Sequence, residues 1–180
     1  MPTYYLAINS PIGKLTIAAK DGFVTSIYFE DEEPKEINSN GSKFVDIPIT
    51  ITDKEVEVAE KNADTDVLNL AANQLQEYFA GNRKKFNIPL RPEGGSFFQK
   101  VWSKMLEEVA YGKTISYSEL GMLVGSPKGA RAVGMANGKN PIPIIIPCHR
   151  VIGKSGKLTG FRGGIDAKKI LLALEGILHN

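Results

Sequence analysis

The chain has 180 residues, 42% of them apolar, with one cysteine, two histidines and a formal charge of +2. That composition excludes a disulfide framework and a disordered polymer, and no run reaches the ~20 apolar residues of a membrane helix. The charge is split. Residues 1–99 carry 10 Lys and Arg against 15 Asp and Glu, and residues 100–180 carry 12 against 5. A basic C-terminal half is either the electrostatic footprint of a nucleic-acid binder or an uneven solvated surface.

In chain order, YYLAIN, KLTIAAK and FVTSIYF alternate apolar and polar residues around turn signals at Ser10-Pro11-Ile12-Gly13 and Asp21-Gly22. They predict an antiparallel β-meander. Residues 31–43 predict a polar loop, and KFVDIPITIT a further strand. Val67, Ala71, Leu75, Tyr78 and Phe79 share one stripe and predict a helix from Val67 to Ala80 that stops at Gly81. FNIPL is a short strand candidate. RPEGG (91–95) is the domain joint, giving domains at 1–92 and 93–180.

Beyond the joint, Ser96 with Gln99 predicts a capping box opening SFFQKVWSKMLEEVAYG, closed by Gly112. Its buried stripe is Phe98, Val101, Trp102, Met105 and Val109. Ser116 with Glu119 predicts a second capping box starting SYSELGMLV. Ser126 as cap and Pro127 at the first helical position predict a helix over PKGARAVGMAN, and the pair reads as a helix-turn-helix. A last helix is predicted from Asp166 to Glu175, ended by Gly176. The fold class is therefore α+β: an antiparallel sheet with a helix, then a mostly helical domain.

Three features carry chemistry. The first is NPIPIIIPCHRVIG, in which an apolar strand-like run ends at Pro147 and is followed by Cys148, His149 and Arg150. Proline should end the strand, so Cys148 and His149 need not point to opposite faces. A free thiol is only a few per cent ionised at neutral pH; a neighbouring imidazole and the charge of Arg150 would raise that fraction. A buried, inert cysteine is the alternative. The second feature is Glu175, in the last turn of its helix beside Ile170, Leu171 and Leu174, where the macrodipole disfavours an anion by ~0.3–1 kcal/mol. It either faces solvent or orients His149. The third is the helix after Ser126, small-sided through Gly129, Ala130, Ala132, Gly134 and Ala136, with Arg131 the one long cation within that small-sided stretch. Either a helix packs there or DNA approaches closely, with Arg131 reaching into the stack from a narrow groove.

PCHRV around Cys148, ARAVG around Arg131 and NPIPIIIP resemble the O6-alkylguanine-DNA alkyltransferase family, supported by ISYSEL, FFQKVW and LLALEG, over essentially all of residues 96–176. The N-terminal half is similar only in layout. The resemblance implies a ribonuclease H-like first domain and a winged-helix-like second one. It implies that Cys148 accepts the alkyl group, that His149 takes its proton through a water, and that Glu175 orients His149. It further implies that Asn140 braces the turn and that Tyr117 donates a proton or hydrogen bond to the departing guanine. Arg131 would fill the gap left by the flipped nucleotide, with Ser126, Lys128 and Gly134 on the same DNA-binding surface. Pro143, Phe161 and backbone near Val151 would line the base pocket. Where many members have Tyr-Ser or Phe-Ser, this chain has Phe161-Arg162, and it lacks the zinc ligands some members carry near their start.

The implied activity is direct-reversal DNA repair. O6-alkylguanine, with O4-alkylthymine a further candidate, would give its alkyl group irreversibly to Cys148. No metal or cofactor is expected. The partner is double-stranded DNA, approached from the minor groove by a monomer; the compartment is the cytoplasm, since one thiol suits a reducing medium and MPTYYLAINS has no signal-peptide pattern. The alternatives are a non-catalytic sensor or regulator that recognises alkylated bases, and a cysteine hydrolase or redox protein.

Overall fold

The computed structural model describes residues 2–32, 43–49 (backbone only) and 61–177. Most of the predicted 31–43 loop, the end of KFVDIPITIT and His179 lie outside the described residues. The chain divides into two compact units, Met1–Pro92 and Glu93–Asn180.

In the first unit, β1 (Tyr4–Ser10), β2 (Gly13–Lys20) and β3 (Phe23–Tyr28) form the antiparallel meander, with Ser10 opposite Gly13 and Lys20 opposite Phe23. A fourth strand, β4 (Lys43–Ile49), joins the other edge of β1 in parallel, so the order is β3-β2-β1-β4. Helix α1 spans Ala63–Phe79 and buries Val67, Leu68, Ala71, Ala72, Leu75, Tyr78 and Phe79. It starts four residues before the predicted Val67. Asn62 Oδ1 accepts from the Asp64 and Thr65 N–H groups at 2.9 Å, and Thr65 Oγ1 accepts from the Asn62 N–H, a capping box spelled Asn-x-x-Thr. FNIPL forms no strand. Only Leu90 bridges to Val24, through the Val24 N–H on the Pro89 carbonyl and the Arg91 N–H on the Val24 carbonyl, both at 2.9 Å, and Pro89 has no N–H to extend the pairing.

The second unit is a helical cluster with one short parallel ladder. Helix α2 (Ser96–Glu108) buries Val101, Trp102 and Met105. The predicted Ser96/Gln99 capping box does not form: Ser96 is already the first helical residue, and Gly95 caps without a side chain. Nor does Gly112 end this helix, which stops at Glu108; Val109 leaves helical geometry at φ −101, ψ 85. Strand β5 (Ile115–Ser116) pairs in parallel with β6 (Val151–Ile152). Ser116 and Glu119 make the predicted capping box of α3 (Tyr117–Leu123).

Helix α4 covers Ala130–Gly138 and begins three residues later than the predicted Pro127. Ser126-Pro127-Lys128-Gly129 is instead a turn closed by the Gly129 N–H on the Ser126 carbonyl at 2.8 Å, the position pattern that Pro and Gly favour in type I turns. A Cβ on Gly129 would sit 2.1 Å from Ser126 Oγ, so only glycine closes it this tightly. α3 and α4 form the helix-turn-helix. Trp102 on α2 donates its indole N–H to the Ala136 carbonyl at 2.8 Å, which ties α2 to α4 through a buried bond. Helix α5 (Ile165–Leu174) closes the unit, with Glu175 as its cap residue and Gly176 at φ 78 beyond.

Candidate active site

The run NPIPIIIP is not a strand. It is a buried loop that turns at Ile144–Ile145, with Pro143 and Ile146 bridged and Ile144 at φ 74. A β-branched residue in the left-handed region costs on the order of 1–3 kcal/mol, and Ile144 holds it while 0% exposed. Asn140 supports the turn from inside. Its Nδ2 donates to the Ile146 carbonyl at 2.9 Å, and its Oδ1 accepts from the Ile142 N–H at 3.0 Å. The chain then enters a single 3-10 turn, Cys148–Arg150, which is all buried. Cys148 and His149 are therefore out of strand geometry, but Pro147 ends no strand, since the run before it is already a loop; periodicity does not distinguish a buried strand from a buried loop.

Around this turn, His149 Nε2 lies 2.7 Å from Glu175 Oε1, both side chains fully buried. Arg150 does not serve Cys148, as the sequence suggested. It forks onto Glu175, Nε to Oε2 at 2.8 Å and Nη2 to Oε1 at 3.0 Å, and donates through Nη1 to the Val109 carbonyl at 2.7 Å. The Gly112 N–H adds a bond to Glu175 Oε2 at 3.2 Å. Glu175 is thus the hub of a buried polar cluster, which explains an anion at a helix C-terminus. Burial alone would raise its carboxyl, yet the hydrogen bonds from His149 and Arg150 and the guanidinium charge outweigh that and hold it at about 2. A carboxylate at that value only accepts, so Nε2 carries the ring proton and Nδ1 presents its lone pair. Burial lowers His149 below 6.5 against the pull of Glu175, so the ring is neutral.

Cys148 is 4% exposed, and burial raises its thiol above the usual range. The Asn140 side chain opposes this by hydrogen bonding, followed by the positive charges of Arg162 and Lys168. Lys168 was missed in the sequence. It is 0% exposed, donates to the Val151 carbonyl at 2.7 Å and the Thr159 carbonyl at 3.2 Å, and is lowered by burial. The signal was present: Lys168, Leu171 and Glu175 are spaced i, i+3, i+7 on one stripe. The buried face of α5 is Ala167, Lys168, Leu171 and Leu172, whereas Ile170 is exposed. Arg162 donates through Nη1 to the Asn140 carbonyl at 2.7 Å, so the residue in place of the common serine is anchored beside the turn. Asn137 on α4, also missed, donates to the Cys148 carbonyl at 3.3 Å.

The remaining predicted residues fall as follows. Pro143 and Val151 are buried and Phe161 is half-buried. Tyr117, first residue of α3, sets its hydroxyl 2.7 Å from Thr159 Oγ1, and its ring edge lies about where a Cβ on Gly134 would make ordinary contact, at 3.7 Å. Arg131 and Lys128 are exposed, and Ser126 is half-buried in the turn before α4.

Two family models cover the chain: 6-O-methylguanine DNA methyltransferase, ribonuclease-like domain, over residues 3–92, and its DNA binding domain over residues 96–177. The chain belongs to the 6-O-methylguanine DNA methyltransferase family. It is 41% identical over 174 residues to the methylated-DNA–protein-cysteine methyltransferase of Methanosarcina acetivorans, covering 96% of this chain and 98% of that one. It is likewise 41% identical over 177 residues to the constitutive methylated-DNA–protein-cysteine methyltransferase of Bacillus subtilis, covering 98% and 97%. Among solved structures it is similar to Mycobacterium tuberculosis OGT in complex with DNA, at 40% identity and a TM-score of 0.77, covering 96% and 92%. The methyltransferase fold thus matches along both units, and the α+β reading holds.

Proposed function

We propose that this methyltransferase homologue performs direct-reversal DNA repair, moving the alkyl group of O6-alkylguanine in double-stranded DNA onto Cys148 once per molecule. The observation that carries the reading is the buried relay of Glu175, His149 and the turn bearing Cys148, in a chain whose relatives are named for cysteine methyl transfer from DNA. It works as a monomer in the reducing cytoplasm, where a lone thiol stays reduced.

The base is reached by flipping it out of the duplex, at a cost of a few kcal/mol that is smaller for a poorly paired alkylated guanine. Exposed Arg131 on α4 enters from the minor groove and fills the gap, while Lys128, Ser126 and the small face at Gly134 lie along the backbone. Pro143, Val151 and Phe161 line the pocket. The thiol proton passes through water to His149 Nδ1, whose lone pair is exposed by the Glu175 bond, and Lys168 and Arg162 favour the anion. Sulfur attacks the alkyl carbon; the carbon–oxygen bond breaks with its electron pair going to guanine, which Tyr117 meets with a proton or hydrogen bond. Overall, the proton lost by sulfur balances the one guanine gains. The thioether product has no good leaving group, so the molecule is spent.

The test is repair of a duplex carrying one O6-methylguanine inside a restriction site. Cutting should be restored in proportion to protein added, one lesion per chain. Protein that binds the duplex without restoring the site would be a sensor, and restoration beyond one equivalent would mark a hydrolase.

A further inference from the structure

The loop between β6 and α5 places a hydroxyl that the reading above leaves unused. Thr159 Oγ1 lies 2.7 Å from the Tyr117 hydroxyl, 42 residues away in the chain. The contact is fixed from both ends. The Thr159 carbonyl accepts from buried Lys168, the same ammonium that binds the Val151 carbonyl, so the loop is pinned to β6 at this residue. Threonine is β-branched and stiff at χ1, so a pinned backbone also aims its Oγ1. The Tyr117 ring, in turn, sits at the head of α3 against Gly134 of α4.

A tyrosine hydroxyl has one hydrogen and also accepts, and a threonine hydroxyl has the same inventory. If Tyr117 donates to Thr159, its single hydrogen is committed and is lost to a base. If Thr159 donates, the Tyr117 hydrogen is free for the substrate, and charge that develops on the tyrosine oxygen meets a hydrogen bond already in place. Preorganised donors at an atom that gains charge stabilise a transition state with no reorganisation at the moment of reaction.

We infer that Thr159 is a positioning residue for alkyl transfer: its hydroxyl donates to the Tyr117 oxygen, turns the tyrosine hydrogen toward the departing guanine, and supports the oxygen as that hydrogen moves. This rests on the reading of Tyr117 as the donor to guanine. No bond to Thr159 itself is made or broken; the sulfur–carbon bond forms, the carbon–O6 bond breaks, and guanine takes the electron pair and a proton.

The experiment compares full-length parent, Thr159→Val, Thr159→Ser, Tyr117→Phe and the double variant Tyr117→Phe/Thr159→Val. Single-turnover transfer from O6-methylguanine duplex is measured beside methylation of Cys148 by methyl iodide, whose iodide leaves without a proton. Loss of one such hydrogen bond predicts transfer slowed about tenfold in Thr159→Val. Thr159→Ser should transfer within about twofold of the parent, and the methyl iodide rate should be the same in all five. Thr159→Val should add nothing to Tyr117→Phe, since both remove one unit. Parent-like transfer in Thr159→Val, with Tyr117→Phe slow, overturns the inference alone. Parent-like transfer in Tyr117→Phe overturns the tyrosine reading and the inference with it. An equal loss in the methyl iodide reaction, or no recovery in Thr159→Ser, would show a merely structural threonine and also overturn it.

Discussion

Glu175 and His149 meet at 2.7 Å inside the protein, carboxylate oxygen to ring Nε2, which leaves Nδ1 without a hydrogen-bond partner among the described residues. The carboxylate serves a second master at the same time, since Arg150 forks onto both its oxygens. Glu175→Gln therefore does more than neutralise a charge. Its amide nitrogen would set hydrogens against a guanidinium that donates and cannot accept, and Arg150 would be left buried without its counter-charge. Breaking a buried pair on one side costs about 3–5 kcal/mol, so urea unfolding should show a loss of that order. Transfer to Cys148 should fall as well, because the ring tautomer is no longer fixed.

Acid should act through the same cluster. Glu175 titrates at about 2 in the folded chain against an ordinary 4.5, and burial pulls His149 below 6.5. Both groups bind protons more weakly folded than unfolded. Their stability is therefore present above the unfolded values and is lost as pH falls, first below 6.5 for His149 and then from 4.5 toward 2 for Glu175. The Glu175 share corresponds to about 3 kcal/mol. Thermal melts stepped from pH 7 to pH 3 should show a falling Tm, and Glu175→Gln should flatten the lower part of that fall.

Lys168→Met removes the buried cation that acts on the Cys148 thiol while keeping the length of the side chain. The thiol, already raised by burial, should rise further. Alkylation of Cys148 followed across alkaline pH should shift its ionisation step upward relative to the parent. A downward shift would mean that the ammonium does not favour the anion.

Arg131 lies exposed on α4. Arg131→Ala should slow repair within a duplex, where the space of a flipped nucleotide must be filled, more than it slows reaction with a free alkylated guanine base. Rates with the two substrates, taken at one salt concentration, give the comparison. Equal slowing would place Arg131 in the chemistry instead of the flipping.

The strands β1 to β3 were legible because alternation with turn signals is a local pattern. The helix α3 was legible because Ser116 and Glu119 spell a capping box that the tertiary structure has no reason to override. Ser96 and Gln99 spell one too, but helix geometry already holds at Ser96, so the box is not made. The apolar run before Cys148 misled for a different reason. A fully buried segment has no polar face to set a period, and what bends it back is the Ile146 N–H on the Ile142 carbonyl together with the Asn140 amide, bonded to Ile142 and Ile146. At the site, Cys148, His149 and Glu175 were visible as anomalies of placement. Lys168 is not legible as a site residue, and Arg150 points the sequence reading to the wrong partner, because their partners, the Val151 and Thr159 carbonyls and the Glu175 carboxylate, are set by tertiary packing.

The measurement that bears most directly on the account is the intact mass of the protein after incubation with excess O6-methylguanine duplex. The account predicts a gain of about 14 Da, one methyl in place of one hydrogen, located on Cys148 by peptide mapping and saturating at one per chain. An unchanged mass with the DNA bound, or a methyl group carried by any other residue, would contradict it.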